Sequence, residues 1–220
     1  MKECGSSANH HPPVVGILGG ICSGKTTVAR LLAERGFELI NADRIGHEML
    51  GHPEIQSELQ QVFGEGIFDE NGQIDRQILA RTVFDEQDRI EQLNAIVHPP
   101  ILDEVEERIE HATQPVVLDA ALLVEKGLHE KCCDLLVYVD APARLRRKRA
   151  EEERNWEPEE IRRREKRQIP PERKRRMADI VITNDGTKTE LKQKVQRLYT
   201  HIQKRLARSR EFSQENADRE

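Results

Sequence analysis

Eight consecutive residues near the N-terminus, Gly19-Gly20-Ile21-Cys22-Ser23-Gly24-Lys25-Thr26, have the types and spacing Gly-x-x-x-x-Gly-Lys-Thr. Glycines let backbone N–H groups turn inward around an anion, and a helix opening at this point adds partial positive charge. Lys25 can reach the terminal phosphates of a nucleoside triphosphate, and the Thr26 hydroxyl can ligate Mg²⁺. The candidate nucleotide contacts are therefore Gly20, Ile21, Cys22, Ser23, Gly24, Lys25, Thr26 and Thr27.

A phosphate loop does not say what accepts the phosphoryl group. Asp43 follows a short apolar run and has two readings. It either orients an acceptor hydroxyl and takes its proton, or caps the helix starting at Arg44. Asp119 ends Val116-Val117-Leu118-Asp119, where a carboxylate can hold a Mg²⁺-bound water or cap a turn. An arginine-rich stretch runs from Arg144 through residues 162–167 to residues 173–176, interleaved with glutamates. It reads as a solvated helix face, as a lid whose arginines close over a triphosphate, or as a nucleic-acid arm. The glutamates, and the lack of stacking aromatics other than Trp156, disfavour the last. Asp69-Glu70-Asn71-Gly72-Gln73 looks like a GTPase switch motif. It follows no buried strand and has no guanine-reading partner motif, so a polar turn is expected.

These residues need positioning elements. Val14-Val15-Gly16-Ile17-Leu18 is continuously apolar, as in a strand buried on both faces of a parallel sheet. An amphipathic helix follows with Val28, Leu31 and Leu32 on one face and Gly36 at its end. Phe37 to Ile40 predicts a second strand, ending at Asn41-Ala42-Asp43. Residues 45–111 read as helices punctuated by Pro53, Gly64-Glu65-Gly66, Asn71-Gly72 and Pro99-Pro100. Further strands are expected at Pro115–Asp119, Leu135–Asp140 and Ile180–Ile182. A final helix carries Leu191, Val195, Leu198 and Ile202 on one face. The expectation is an α/β three-layer sandwich of P-loop kinase type with a five-stranded parallel sheet. Its core spans 14–43, 115–140 and 178–207, with a helical insertion at 44–114 and an Arg-rich lid at 141–177. Disordered or flexible ends are expected at 1–13 and 208–220.

The 220 residues suit one α/β domain with insertions. A net charge of −5 gives no global case for nucleic-acid binding. Cys4, Cys22, Cys132 and Cys133 show neither metal-pair spacing nor disulfide density, which suits a reducing cytosol. His10 and His11 are too isolated for a metal site. No apolar run is long enough for a bilayer, so a cytoplasmic protein is expected, with no membrane partner.

Taken together and in order, these stretches resemble the dephospho-coenzyme A kinase family from about Val14 to Leu198. Further matching stretches are Phe63-Gly64, Ile74-Asp75-Arg76, Leu93 to Pro99, Leu122 to Glu125 and Ala178 to Gly186. The resemblance implies transfer of the γ-phosphoryl of ATP to the ribose 3′-hydroxyl of dephospho-coenzyme A, the last step of coenzyme A synthesis. It implies ATP and Mg²⁺ as cofactors, with Thr26 and Asp119 on the metal. Asp43 would be the general base. Arg76 and His98 would lie in the acceptor-holding insertion, and Leu122, Leu123 and Glu125 on the acceptor-side loop. Asn184 and Gly186 would lie near adenine, and Arg149 or Arg154 on the transferred phosphoryl. The family usually has glycine where Cys22 stands. That site either needs no positive φ here or is strained. A monomer or weak homo-oligomer is expected. The rival readings are another P-loop nucleotide or small-metabolite kinase, and a non-catalytic nucleotide switch.

Overall fold

The computed structural model describes residues 12–84, 86–125 and 127–217. Cys4, His10 and His11, with the rest of the expected N-terminal extension up to position 11, lie outside that range.

Five strands form one sheet: β1 (Val14–Gly19), β2 (Glu38–Asn41), β3 (Val116–Asp119), β4 (Leu135–Asp140) and β5 (Ile180–Thr183). Their order is β2-β3-β1-β4-β5. Strand β1 pairs in parallel with β3 on one side and β4 on the other, and β4 pairs in parallel with β5. Every residue of β1 and β3 is buried, as their unbroken apolar runs require for central strands covered on both faces. The register sets Ile17 opposite Asp119, which brings the end of β3 beside the end of β1.

Helices α1 (Lys25–Ala33) and α10 (Lys188–Ala217) pack on this sheet. Val28, Leu31 and Leu32 of α1 meet Leu191, Val195, Leu198 and Ile202 of α10 in one core with Val15, Ile17 and Val137. The i, i+4, i+7, i+11 spacing on α10 makes a single stripe, and each buried aliphatic contributes roughly 1.5–3 kcal/mol. The backbone of α10 continues to Ala217, past the point where a tail was expected; 218–220 lie outside the described residues.

The chain divides into two compact units, Met1–Ile40 with Ile109–Glu220, and Asn41–Arg108. The second contains α2 (Ala42–Met49), α3 (Pro53–Phe63), a 3₁₀ turn at Glu65–Ile67, α4 (Arg76–Phe84) and most of α5 (Gln87–Glu110). Pro53 takes the first helical position of α3, where its missing N–H costs nothing, and Gly64 ends that helix. Pro99 and Pro100 do not end a helix as expected; both sit inside α5, which runs on to Glu110. The two prolines forgo two backbone N–H donors, yet Val105 and Ile109 beyond them are buried and hold the following turns in place. Asp69 accepts hydrogen bonds from the N–H groups of Asn71 and Gln73, so the switch-like stretch is the polar turn its composition predicted.

The 141–177 segment folds as α7 (Ala143–Arg154), α8 (Pro158–Lys166) and α9 (Pro171–Met177). The short helix between β3 and β4 is α6 (Leu128–Cys132). Among the described residues no helix is long and apolar enough to cross a membrane.

Candidate active site

The phosphate loop joins β1 to α1. Its last residue before the helix, Gly24, has φ 97°, the left-handed region that favours glycine. A Cβ there would also collide with the side-chain amide of Asn184. Cys22 sits at φ 54° without being glycine. The open question at this site is thereby answered: the loop keeps the left-handed turn that the usual glycine would make, and bears the strain of a Cβ, about 1–2 kcal/mol. Burial pushes the Cys22 thiol above the ordinary range, against the opposing pull of Arg154, Lys25 and Arg146.

Lys25 donates from Nζ to the Gly19 and Gly20 carbonyls at 3.3 and 3.1 Å, so its ammonium lies over the loop. Thr26 Oγ1 donates to Asp119 Oδ2 at 2.7 Å. Asp119 is 4% exposed. A hydroxyl and a buried carboxylate converging at the end of the central strands are hard oxygen donors of the kind Mg²⁺ selects. The alternative of Asp119 as a simple turn cap does not account for its bond to α1.

Asn184 follows β5 and is 7% exposed. Its Nδ2 donates to the Ser23 carbonyl at 2.7 Å, and its own N–H to the Asp140 carbonyl at 2.6 Å. Arg149, on α7, donates to the carbonyls of Cys22 (3.4 Å), Ser23 (3.3 Å) and Asn184 (3.1 Å). Arg146, one turn earlier on the same helix, donates to the Ile21 carbonyl at 3.3 Å and to Glu165 at 2.8 Å. Its Nη1 lies so near the loop that a Cβ on Gly20 would come within 2.9 Å of it. Thus the residue after β5 and two arginines of α7 hold the loop by its carbonyls. Residues 22–27 share one cleft with Arg149, Arg154, Asn184, Gly186 and Lys188.

Much of the remaining charge on this segment is solvated pairing. Glu160 takes Arg163 and Arg164, Glu159 takes Arg162, and Lys148 faces Glu152 at 3.7 Å. The solvated-face reading therefore fits the outer arginines, while Arg146 and Arg149 turn inward.

In the second unit, Asn41 caps α2: its side chain accepts from the Arg44 N–H at 2.7 Å. This corrects two expectations for Asp43: it does not end β2, and it is not the cap of the following helix. It is the exposed second residue of α2. One turn on, His47 stands at i+4 and shares a 2.8 Å hydrogen bond with Arg76 Nη2 through its Nε2. An arginine only donates, so the ring accepts at Nε2 and carries its proton on Nδ1. Partial desolvation, then the Arg76 guanidinium, hold the His47 pKa below the ordinary range, with Asp43 pulling the other way. His98 is half-buried within α5.

Two acceptor-loop residues are engaged in packing and pairing. Leu123 is 1% exposed and belongs to the core, while Leu122 is half-buried. Glu125 Oε1 accepts from the Ile169 N–H at 2.8 Å and pairs with Lys174 Nζ at 2.7 Å. Lys174 is itself 2% exposed. Glu125 therefore ties the loop after β3 to the segment joining α8 and α9. Arg146 and His47 are additions to the expected set. Arg146 is legible only as the residue three before Arg149 on a helix, and His47 only as the residue four after Asp43.

The dephospho-CoA kinase family model (CoaE) matches residues 13–190. A dephospho-CoA kinase of Corynebacterium glutamicum is 38% identical over 194 residues, covering 86% of this chain and 98% of the relative. A crystal structure from Thermus thermophilus (TT1252) superposes with a TM-score of 0.76 at 32% identity, covering 89% of this chain and 98% of that one. The dephospho-CoA kinase of Campylobacter jejuni shares the fold, with a TM-score of 0.62 at 23% identity over 87% of this chain and 97% of that one. With the phosphate loop, its carbonyl clamp and the Thr26–Asp119 pair on one parallel sheet, and with that match over most of its length, the chain belongs to the dephospho-CoA kinase family.

Proposed function

We propose that this chain transfers the γ-phosphoryl group of ATP to the ribose 3′-hydroxyl of dephospho-coenzyme A, with the residues above in the following roles. The loop N–H groups and Lys25 bind the β- and γ-phosphates. The observation that carries the reading is the 2.7 Å bond from Thr26 to the buried Asp119, set one residue past Lys25. Thr26 and Asp119 would hold Mg²⁺ beside the phosphates of ATP. Mg²⁺ bound there would neutralise charge on the β- and γ-oxygens.

Asp43 accepts the proton of the 3′-hydroxyl as its oxygen forms a bond to the γ-phosphorus. The bond from that phosphorus to the β,γ-bridging oxygen breaks, and ADP leaves. Arg76, His98 and Leu122 contact the acceptor. Arg154, on the cleft rim, meets the transferred phosphoryl, with Arg146 and Arg149 keeping the loop in shape. Gly186 borders the same cleft on the side of Lys188, in keeping with a contact to the base or ribose of ATP.

The test is ADP release coupled to a spectrophotometric readout, with dephospho-coenzyme A, adenosine, AMP and shikimate offered as acceptors. Turnover with the first alone, and a product phosphorylated at the 3′-position by NMR, is the expected result. Comparable turnover with another acceptor, or ADP release independent of acceptor, would refute it.

A further inference from the structure

The chain has one tryptophan, and it stands in the arginine-rich segment. Trp156 follows α7 through Asn155, which closes that helix at φ 52°. The Trp156 N–H donates back to the Ala150 carbonyl at 3.1 Å, so the chain folds onto the helix end it has just left. That turn brings the indole beside Arg154, two residues earlier. The Arg154 guanidinium carbon is 5.0 Å from the ring centroid, and that of Arg164, on α8, is 4.3 Å away. Both distances lie within cation–π range. Two cations on one ring would repel, but Glu160, which pairs with Arg164 at 2.6 Å and also with Arg163, offsets part of that charge.

Arg154 is the last residue of α7 and is exposed, the setting in which an arginine has most rotamer freedom to lose, about 2 kcal/mol. It nevertheless lines the cleft with Cys22 and Lys25, and of the charges acting on the Cys22 thiol its effect is the largest. Something must select that rotamer, and the indole is the group in contact with it.

We propose that Trp156 is a positioning residue for phosphoryl transfer: its ring holds the Arg154 guanidinium at the rim of the phosphate cleft, with Arg164 anchoring the ring to α8. The inference rests on the reading of Arg154 as a phosphate contact. Without the ring, Arg154 samples solvent, and the geometry it must reach in the transition state is visited less often. The ring touches neither nucleotide nor acceptor; it acts through Arg154.

A double-mutant cycle on the full chain tests this. With an exposed arginine, a cation–π contact corresponds to roughly a 2- to 5-fold effect. Trp156→Leu, which keeps bulk and removes the π face, should lower kcat by about that factor, leave KM for dephospho-coenzyme A unchanged and keep Tm near wild type. Trp156→Phe should recover most of the loss. In an Arg154→Ala background Trp156→Leu should cost less than twofold more. The same fold-loss in both backgrounds overturns the proposal, because the ring would then act independently of Arg154. A loss confined to KM for ATP and absent with GTP overturns it as well, making the ring a base platform. The emission of Trp156, the sole tryptophan, is the second readout. It should change when Mg·ADP binds, and Arg154→Ala should abolish the change; a change that persists in full overturns the coupling. If Arg154→Ala alters the emission response but leaves kcat intact, the phosphate role of Arg154 fails while the ring contact stands, and the proposal falls with that role.

Discussion

Replacing Asn184 by alanine tests the clamp behind the phosphate loop. The side chain makes one buried, well-formed bond to the Ser23 carbonyl at 2.7 Å and accepts a weaker one from Arg149 at 3.4 Å. A net hydrogen bond is worth about 0.5–1.5 kcal/mol, and a stranded buried acceptor costs about 1–3 kcal/mol. The Ser23 carbonyl would keep Arg149 at 3.3 Å, so the stranding is partial. Arg149 would keep the Asn184 backbone carbonyl. The sum is about 1–3 kcal/mol, equivalent to a fall in Tm of roughly 3–9 °C for a chain of this size. The loop at risk carries two constraints on either side of Ser23, the strained Cys22 and the left-handed Gly24, and ATP would have to restore it on binding. The loss of ATP affinity is therefore bounded by the same 1–3 kcal/mol, about 5- to 150-fold. Thermal melts with and without Mg·ATP, and isothermal titration with a non-hydrolysable ATP analogue, measure both. A Tm within 1 °C of wild type together with unchanged affinity would refute the clamp, and would leave Asn184 only the adenine-side role that the family resemblance implies.

Asp43→Asn should leave ATP affinity within about twofold and lower kcat by about 10²- to 10⁴-fold, the usual worth of a general base; steady-state kinetics near wild type would remove Asp43 from the chemistry. Cys22→Gly should bind ATP as well as wild type and melt no lower, since it relieves a left-handed Cβ, whereas Cys22→Val should melt lower. With its thiol pushed up by burial, Cys22 should alkylate slowly at neutral pH and faster as the solution becomes alkaline; peptide mapping separates it from Cys133, which burial holds at about 12. Lys174→Met leaves the Glu125 carboxylate buried without its cation and should cost about 3–5 kcal/mol, while adding Glu125→Gln should recover at least half in chemical denaturation. His47 has a lowered pKa, so its neutral form and the bond to Arg76 are complete above the ordinary histidine range and are lost as pH falls through the lowered pKa. KM for dephospho-coenzyme A should accordingly rise on acidification, and His47→Gln should flatten that limb.

What the sequence determined alone is local or periodic. The phosphate loop needs eight contiguous residues, and their backbone does the binding, so types and spacing suffice. The central strands were legible because both faces are buried and the apolar runs are unbroken. The α10 stripe was legible because its period is helical. Tertiary structure decided whatever depends on two distant segments meeting. Asn184 and Ser23 are 161 residues apart, and only the parallel pairing of β4 with β5 brings the end of β5 behind the loop. Among the twelve arginines of residues 141–177, helix phase alone selects Arg146 and Arg149 for the loop carbonyls, and the Asn155 turn selects Arg154 for Trp156. Leu123 and Glu125 match an acceptor-side motif in sequence, yet packing uses the one for the core and Lys174 claims the other. Pro99 and Pro100 look like a boundary, but tertiary burial of the residues beyond them carries α5 through. Asp43 is the local exception: a carboxylate after a strand suggests either a cap or a base, and a bond between Asn41 and the Arg44 N–H, only three residues apart, makes Asn41 the cap and leaves Asp43 exposed on α2.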